Sequence, residues 1–494
     1  MSNILGIKHY VKADGSESIV VAYGNDIGIF DGVSTFTGQG RNLAVTEMEF
    51  DVSLDFLLGV NGSNPNLMYD GSSWHAGGSG RRMPVANYVK TVGAKTYLVD
   101  LSYANKNFRS RIWYSGLPKN ELIVWGYETG TNLVQTQGSK IITSVGAMFS
   151  TLGIKTGDPF FITTGGNAGQ YTVDTIDFET QITLFEEMKN TATGSTYWVG
   201  SNWLDVRTND GDILRGIGEN DNKVLLFKRD SLFKYDEREL RRVKGVPGTT
   251  SHRSIVNVRE NTYYFHDTGI WRYDGVTSFL VSRPIQDWID GISVSDFPNV
   301  VGWADEDLIY WAIGDIVNAD KDINITNGVL ILDTAAQAWS IGKFAQKITC
   351  TTTAVETNAR NVYLGTTTDE VLTWHSGNAH ISAPIEFQAD TVFHFPGQAY
   401  NVVEFVKCEV YTLSGRGISV YYKLFGTNKI DTEWRPLGDI NNDVTELVFP
   451  RGTYGRGVAY RFSEISTRVP ILLGRIDTYY KDREARNLPS EVAQ

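Results

Sequence analysis

Short apolar runs alternate with polar corners along most of the chain, and the runs are rich in aromatic and β-branched residues. The clearest example lies at 262–282, where the apolar run 262–265 is followed by a polar corner at 266–269 and a second alternating run at 270–273. Two such runs joined by a tight corner predict a β-hairpin. Asp274 and Gly275 follow it, and residues of these types favour an exit turn.

The ending of this hairpin recurs along the chain. Similar runs close on Asp or Ser at positions 31, 70, 115, 236, 274, 333 and 376, so the successive steps are 39, 45, 121, 38, 59 and 43 residues. Four of these six steps match the length of a four-stranded propeller blade. The sequence therefore predicts an all-β protein built on a β-propeller of about seven blades, with six or eight blades also compatible with the seven endings.

The two longer steps predict additions to the propeller. We expect a first propeller part at 1–125, an inserted small β-barrel domain at 126–204, and a second propeller part at 205–382, while the 59-residue step is assigned to a polar loop at 315–327. Strands become longer after this region, which favours a C-terminal antiparallel sheet or sandwich at 383–482. The charged stretch 483–494 has few large apolar residues and is predicted to be a flexible tail.

Composition agrees with this architecture. The 494 residues suffice for two or three domains, and 12% aromatic residues with 49 Gly and 13 Pro suit short strands joined by tight turns. The net charge of -12 gives the whole chain no basic excess for gripping nucleic acid. Cys350 and Cys408 are expected to be buried free thiols. The N-terminus lacks the pattern of a signal peptide and no apolar run is long enough for a membrane span, so a soluble protein made in a cytoplasm is expected.

Reactive patterns are scarce. His375 and His380 lie five residues apart across a Gly-containing turn and are interpreted as surface histidines, not metal ligands. Asp320, Asp322 and Asn324 have the alternate spacing of a calcium loop, yet the sixth and twelfth positions hold Ile325 and Ile331 where Gly and Glu belong.

Carboxylate neighbours are also interpreted as solvated or structural, because neighbours on a strand point to opposite faces. They are Glu186 with Glu187, Asp210 with Asp212, and Asp305, Glu306 and Asp307. The loop 77–82, GGSGRR, lacks the P-loop pattern, and the GxSxG elbow, the sialidase repeat and the WD40 pattern are absent. We therefore predict no catalytic, cofactor-binding or metal-binding residues. The aromatic residues of the repeated endings are expected to fill the faces between blades.

Several stretches resemble the tail nozzle, or hub, of short-tailed bacteriophages, of the packaged-DNA-stabilisation and tail-tubular families. The resemblance rests on 213–236, 248–290, 432–440 and 456–480 and covers about two thirds of the chain; the insertion at 126–203 is expected to match least. In such proteins a blade ending like 269–275 is followed by a segment like 282–285, SRPI, that leads into a short helix.

The resemblance implies a structural virion protein of the viral tail, not an enzyme. It implies a homo-oligomeric ring, expected to be a hexamer, that lies below the portal and the adaptor, or head-to-tail connector, and continues the conduit for genome retention and ejection. Tail fibre or plug proteins would be partners, and double-stranded DNA would pass without sequence recognition. A carbohydrate-binding or glycoside-hydrolysing propeller of adhesin type is the alternative, and it predicts paired carboxylates and exposed aromatic residues facing one pocket.

Overall fold

A computed structural model describes most of the chain. The described residues are 3–31, 36–76, 83–103, 106–116, 123, 125–200, 202–321, 323–356, 359–368, 370–374, 379–380, 383–384, 387–391, 393–395, 402–414, 418–426, 431, 433–464 and 472–482. They divide into two compact units, the first comprising Met1–Trp339 and Gln346–Trp374 and the second Ser340–Ala345 and His375–Gln494. The predicted tail at 483–494 lies outside the described residues.

Seven antiparallel sheets follow one another in the first unit and form the blades of a β-propeller, which confirms the predicted fold. Blade 1 is β1–β4 (Ile4–Val11, Glu17–Tyr23, Asp26–Phe30, Phe36–Gly38), blade 2 is β5–β8 (Glu49–Ser53, Phe56–Val60, Leu67–Tyr69, Trp74–Ala76), and blade 3 begins with β9–β11 (Val85–Val92, Lys95–Tyr103, Lys106–Tyr114). In every blade the strands cross the sheet in chain order, the first strand lying innermost.

The inserted domain interrupts blade 3 between its third and fourth strands. It comprises β12–β17 (Tyr127–Gln135, Ile141–Ser144, Pro159–Ile162, Gly169–Phe178, Gln181–Leu184, Ala192–Gly200), closed into a barrel in the order β12-β13-β16-β15-β14-β17. The chain leaves and re-enters at one place, since Tyr127 pairs with Gly200. A Cβ at Gly200 would lie 2.1 Å from the carbonyl oxygen of Gly126, so this neck requires glycine. Blade 3 then receives its outer strand, β18 (Trp203–Asp205).

Four further blades complete the ring. Their strands are β19–β22 (Leu214–Asn220, Lys223–Lys228, Leu232–Tyr235, Leu240–Arg242), β23–β26 (Val256–Val258, Asn261–His266, Gly269–Tyr273, Ser278–Leu280), β27–β30 (Val301–Asp305, Leu308–Asn318, Ile323–Asp333, Ala338–Lys343) and β31–β33 (Ile348–Glu356, Ala359–Thr366, Val371–Thr373). Short 3₁₀ turns lie at His252–Ser254, Arg283–Ile285, Phe297–Asn299 and Ala319–Lys321, and the single described α-helix, α1, is Gln286–Ile289. The SRPI segment thus does lead into a short helix.

The prediction of a polar loop at 315–327 is wrong. The hairpin of β28 and β29 extends through it, with Val317 paired to Asn324 and Asn318 to Ile323. The segment 323–327, INITN, alternates apolar and polar residues with the period of a strand, so backbone pairing continues to the tip although the composition is polar.

Hydrogen bonds of two threonine hydroxyls join blade 7 to blade 1, where the ring closes. The Thr349 hydroxyl donates to the Ile4 carbonyl at 2.6 Å, and the His9 N–H donates to the Thr352 hydroxyl at 2.9 Å. Aromatic contacts join other neighbouring blades: Phe227 with Tyr264, Tyr263 with Trp311, and Tyr310 with Trp374. Most aromatic residues of the repeated endings are buried, as the prediction of interblade packing requires; they include Tyr69, Trp113, Tyr235 and Tyr273.

The repeated Asp makes the same turn in four blades. One carboxylate oxygen accepts hydrogen bonds from the N–H groups two and three residues further on, at 2.7–3.2 Å, in Asp70, Asp236, Asp274 and Asp333. In three of these blades the residue before the Asp is a tyrosine whose hydroxyl donates to the carbonyl two residues after it, as Tyr273 does to Gly275 at 2.6 Å. The repeat therefore encodes the turn from the third to the fourth strand of a blade.

The second unit contains two facing four-stranded sheets and a small hairpin. The hairpin is β34–β35 (Ala379–His380, Ala383–Pro384), and the remaining strands are β36–β43 (Phe387–Asp390, Val403–Ser414, Ile418–Phe425, Arg435–Ile440, Val444–Val448, Tyr454–Gly455, Gly457–Glu464, Leu472–Asp482). One sheet has the order β36-β42-β38-β39, and in the other β37 pairs with β40, β41 and β43. Alternate residues of β37 and β38 share one buried core, which makes this unit an antiparallel sandwich.

Candidate functional site

The first strands of all seven blades line one central cavity of about 430 Å³. Its charged lining residues other than histidine are Lys8, Glu49, Asp51, Lys90, Glu219, Arg253 and Arg360. Four are basic and three are acidic, so the lining is close to neutral although the chain carries -12. Ligand-binding and catalytic groups of proteins usually lie in concave sites such as this channel.

Arg253 crosses the channel and binds three blades on its far side. It projects from the 3₁₀ turn that precedes blade 5, and its Nε donates to Glu49 Oε1 at 2.6 Å. The two Nη atoms donate to carbonyl oxygens of blades 7, 1 and 2: those of Thr349, Leu5 and Met48, at 2.8, 2.6 and 3.1 Å. Burial alone would lower the pKa of Arg253, but Glu49 and Glu47 outweigh it and raise that pKa. The guanidinium therefore holds together the blades at which the ring closes.

His252 lies beside this arginine and is held in one orientation. Its Nδ1 accepts the N–H of Ile217 at 3.3 Å, and its ring packs on Tyr88 with centroids 4.7 Å apart. Nε2 lies 3.7 Å from Glu49 Oε2. Burial lowers the pKa of His252 despite the nearby Glu49 carboxylate. The ring is therefore neutral near pH 7, with the remaining proton on Nε2.

Two of the three carboxylates that line the channel, those of Glu49 and Asp51, are engaged in ion pairs. Asp51 accepts hydrogen bonds from Lys8 Nζ at 2.8 Å and from the N–H of Thr91 at 2.6 Å. Burial raises the pKa of Asp51, but Lys8 and Lys90 outweigh it and the pKa is lowered. Glycoside hydrolysis needs one carboxyl group that stays protonated near neutral pH. Asp51, held ionised, does not supply that acid.

One member of each group of carboxylate neighbours named from the sequence makes a separate structural contact: Asp210, Asp307 and Glu186. Asp210 binds the buried Lys228 ammonium at 2.6 Å, and the same ammonium donates to the carbonyl of Asp212 at 3.1 Å. Asp307 pairs with Arg259 on the next blade at 2.7 Å. Glu186 accepts the N–H of Thr172 in the barrel at 2.9 Å. None of these contacts lies among the residues that line the channel.

The hairpin at 262–282 also has a structural corner where its polar residues meet. His266 Nδ1 lies 2.7 Å from Asp267 Oδ1 and 2.8 Å from the Thr268 hydroxyl, and Arg229 Nη2 lies 2.7 Å from Asp267 Oδ2. Burial lowers the pKa of His266 although Asp267 opposes it. The corner links blades 4 and 5 through the Arg229–Asp267 pair.

Other sequence candidates are placed as follows. Cys350 and Cys408 are buried free thiols, as predicted, and burial raises the pKa of Cys350 to about 11. Asp320 lies in a 3₁₀ turn. His375, Asp322 and the loop 77–82 lie outside the described residues, as does the side chain of His380. Across the described ranges, no group of three His, Cys, Asp or Glu residues could hold a metal ion.

Sequence reasoning missed the cluster of Glu49, His252 and Arg253. Glu49 begins blade 2, whereas His252 and Arg253 are consecutive in the turn before blade 5, 204 residues from Glu49 to Arg253, so no linear pattern marks the cluster. The one available signal was the polar HRS segment at 252–254, which lies just before the inner strand of blade 5. In the part of the chain that the structure describes, no helix is long and apolar enough to cross a membrane.

Comparisons with known proteins add little beyond the fold. No family model and no curated protein matches the chain. Solved structures that resemble it include the computationally designed Ika8 protein, with 9% identity and a TM-score of 0.37 over 76% of this chain and 96% of that one. The phage phi92 endosialidase has 10% identity and a TM-score of 0.22 over 100% and 70% of the two chains.

A third similar structure is virginiamycin B lyase from Staphylococcus aureus, with 9% identity and a TM-score of 0.28 over 63% of this chain and 92% of that one. Scores this low carry no argument about activity. The β-propeller assignment therefore rests on the seven sheets of this chain and on their ring of contacts.

Proposed function

We propose that this protein is a structural subunit of a phage tail, forming a nozzle or hub ring that extends the conduit for genome retention and ejection. The observation that carries the proposal is the channel crossed by Arg253, in which an ion pair and three carbonyl contacts serve to hold blades together. The resemblance of 213–236, 248–290, 432–440 and 456–480 to tail nozzle proteins supports the same function.

The DNA path of such a ring would lie between copies of the protein. A cavity of about 430 Å³ has the size of a small-molecule pocket and cannot admit a DNA duplex. A conduit therefore needs several subunits around a common axis, and six is the number that the resemblance implies. An acidic chain suits a surface along which DNA slides, because a basic lining would retain it.

The inserted barrel offers a contact surface for neighbouring proteins. Val145 and Phe178 are 79% and 68% exposed. Phe178 is the last residue of β15, and Val145 follows Ser144, whose N–H donates to the Thr180 carbonyl in the β15–β16 turn at 2.9 Å. Phe185 and Ile141 are further exposed apolar residues of this barrel. Large exposed apolar side chains often mark protein interaction sites. In the proposed ring, the barrel would contact adjacent subunits, the adaptor, or fibre and plug proteins.

Negative-stain electron microscopy of the purified protein, alone and with its adaptor and portal proteins, tests the assembly. We expect closed rings, and we expect Val145→Ser/Phe178→Ser to reduce their yield or their docking. Val294→Ser is the matched control, because Val294 is 74% exposed but lies in the propeller. Particles that stay monomeric at every concentration, with the neighbouring proteins present, would contradict the proposal. Release of sugar from a host polysaccharide would support the carbohydrate-active alternative in its place.

A further inference from the structure

A second, smaller cavity of about 140 Å³ lies beside Arg253. Its charged lining residues are Glu47, Arg215 and Arg253, and its other lining residues include Tyr88, Thr250, His252 and Asn299. We propose that this cavity binds a small tetrahedral oxyanion of the phosphate class. The inference is independent of the tail function, because it concerns only groups within the propeller.

Two buried donors of this cavity have no acceptor. Thr250 is 9% exposed and its hydroxyl has no hydrogen-bond partner, and the Nε of Arg215 has none either. Buried polar atoms without a partner are uncommon in folded proteins, and a bound ion or water is one of the ordinary explanations. Both atoms can donate a hydrogen bond to an oxyanion.

Charge favours an anion over a neutral ligand. Arg253 is paired with Glu49 at 2.6 Å, and Glu47 lies 3.8 Å from Arg253, whereas Arg215 has no ion pair with any described residue. Arg215 acts electrostatically on the neighbouring Tyr88: burial raises the pKa of Tyr88, nearby carboxylates add to that rise, and Arg215 opposes it. The cavity lining thus carries two guanidinium groups, those of Arg215 and Arg253, against one carboxylate, that of Glu47.

Size and shape limit the ligand to a single phosphate group. A guanidinium presents parallel N–H groups that match two oxygens of a phosphate, and a hydroxyl can donate to a third. Water occupies about 30 Å³ in the liquid, so the cavity holds one oxyanion and a few waters. Any sugar or base attached to the phosphate would have to project outside it.

Isothermal titration calorimetry with inorganic phosphate, against chloride at matched ionic strength, tests this site. We expect weak saturable binding with Kd of about 1 mM. Arg215→Met should weaken binding about tenfold or more, Thr250→Val about threefold to tenfold, and Arg215→Lys less than Arg215→Met because the charge remains. Arg241→Met is the control, since Arg241 is exposed and pairs with Glu239 outside the cavity. Its affinity for phosphate should equal that of the wild type.

Two further titrations identify the source of the phosphate. Glucose 1-phosphate should bind like inorganic phosphate if the site takes a free monoester, while binding of a short DNA duplex that depends on Arg215 would assign the site to a nucleic-acid backbone. Circular dichroism and the unliganded unfolding temperature establish that each variant is folded. The inference is overturned if phosphate shows no saturable binding up to about 20 mM, or if folded Arg215→Met and wild type bind it equally.

Discussion

Replacing Arg253 by methionine tests how the propeller ring is held closed. Methionine keeps much of the side-chain volume but removes the guanidinium and its four hydrogen bonds. Glu49 would then be left as a largely buried carboxylate with only His252 nearby, at 3.7 Å. The carbonyl oxygens of Leu5, Met48 and Thr349, on blades 1, 2 and 7, would each lose the hydrogen bond that the Arg253 guanidinium donates. The variant therefore removes a cross-channel contact without enlarging the core.

The magnitude follows from the burial of the pair. Removing one partner of a buried ion pair costs about 3–5 kcal/mol, because the other charge stays buried and unpaired. The first compact unit has about 370 residues, and unfolding entropy is about 2.1 cal/mol/K per residue, which gives about 0.8 kcal/mol/K. The unfolding temperature of that unit should therefore fall by about 4–6 °C.

Differential scanning calorimetry, with tryptophan fluorescence to follow the propeller, measures this change. Arg259→Met is the matched control, since Arg259 is 70% exposed and joins blades 5 and 6 through Asp307; an exposed pair is worth less than about 1 kcal/mol. Glu49→Gln combined with Arg253→Met should cost less than the sum of the two single changes, because no charge is left unpaired. A shift for Arg253→Met no larger than that for Arg259→Met would refute the reasoning.

Two more predictions concern the repeated turn and the channel histidine. Asp274→Ala should lower the free energy of unfolding by about 1 kcal/mol, because two backbone N–H groups lose their acceptor. Asp274→Asn keeps an oxygen at this position and should lower it less. Equal losses for the two variants in urea unfolding would contradict the role of the carboxylate oxygen. His252 has a pKa below its ordinary value of 6.5 in the folded protein, so the unfolded chain binds more protons as the pH falls below 6.5 and stability declines. The slope reaches at most about 1.4 kcal/mol per pH unit for one proton. His252→Asn should make urea unfolding between pH 6.5 and 5 less dependent on pH, and an unchanged slope would contradict the role assigned to His252.

The repeated ending shows why the propeller could be predicted. Asp274 and its copies bond to their own turns, and Tyr273 bonds two residues ahead, so the interactions that define each turn are local in sequence. Local interactions recur with the structural unit, which makes the blade period visible in one chain. The polar tip at 323–327 shows the limit, because composition indicated a loop while strand pairing across the hairpin continued.

The sequence by itself thus determined the class of fold, the blade endings and the placement of the insertion between two of them. Tertiary structure alone decided that Glu49, Thr349 and Leu5 meet Arg253, although they lie 204, 96 and 248 residues away from it. It also decided that Arg215 and Thr250 line a cavity with unmatched donors. Such sites form where the inner strands of different blades converge on one axis. Ring closure sets their geometry, and no linear spacing encodes it.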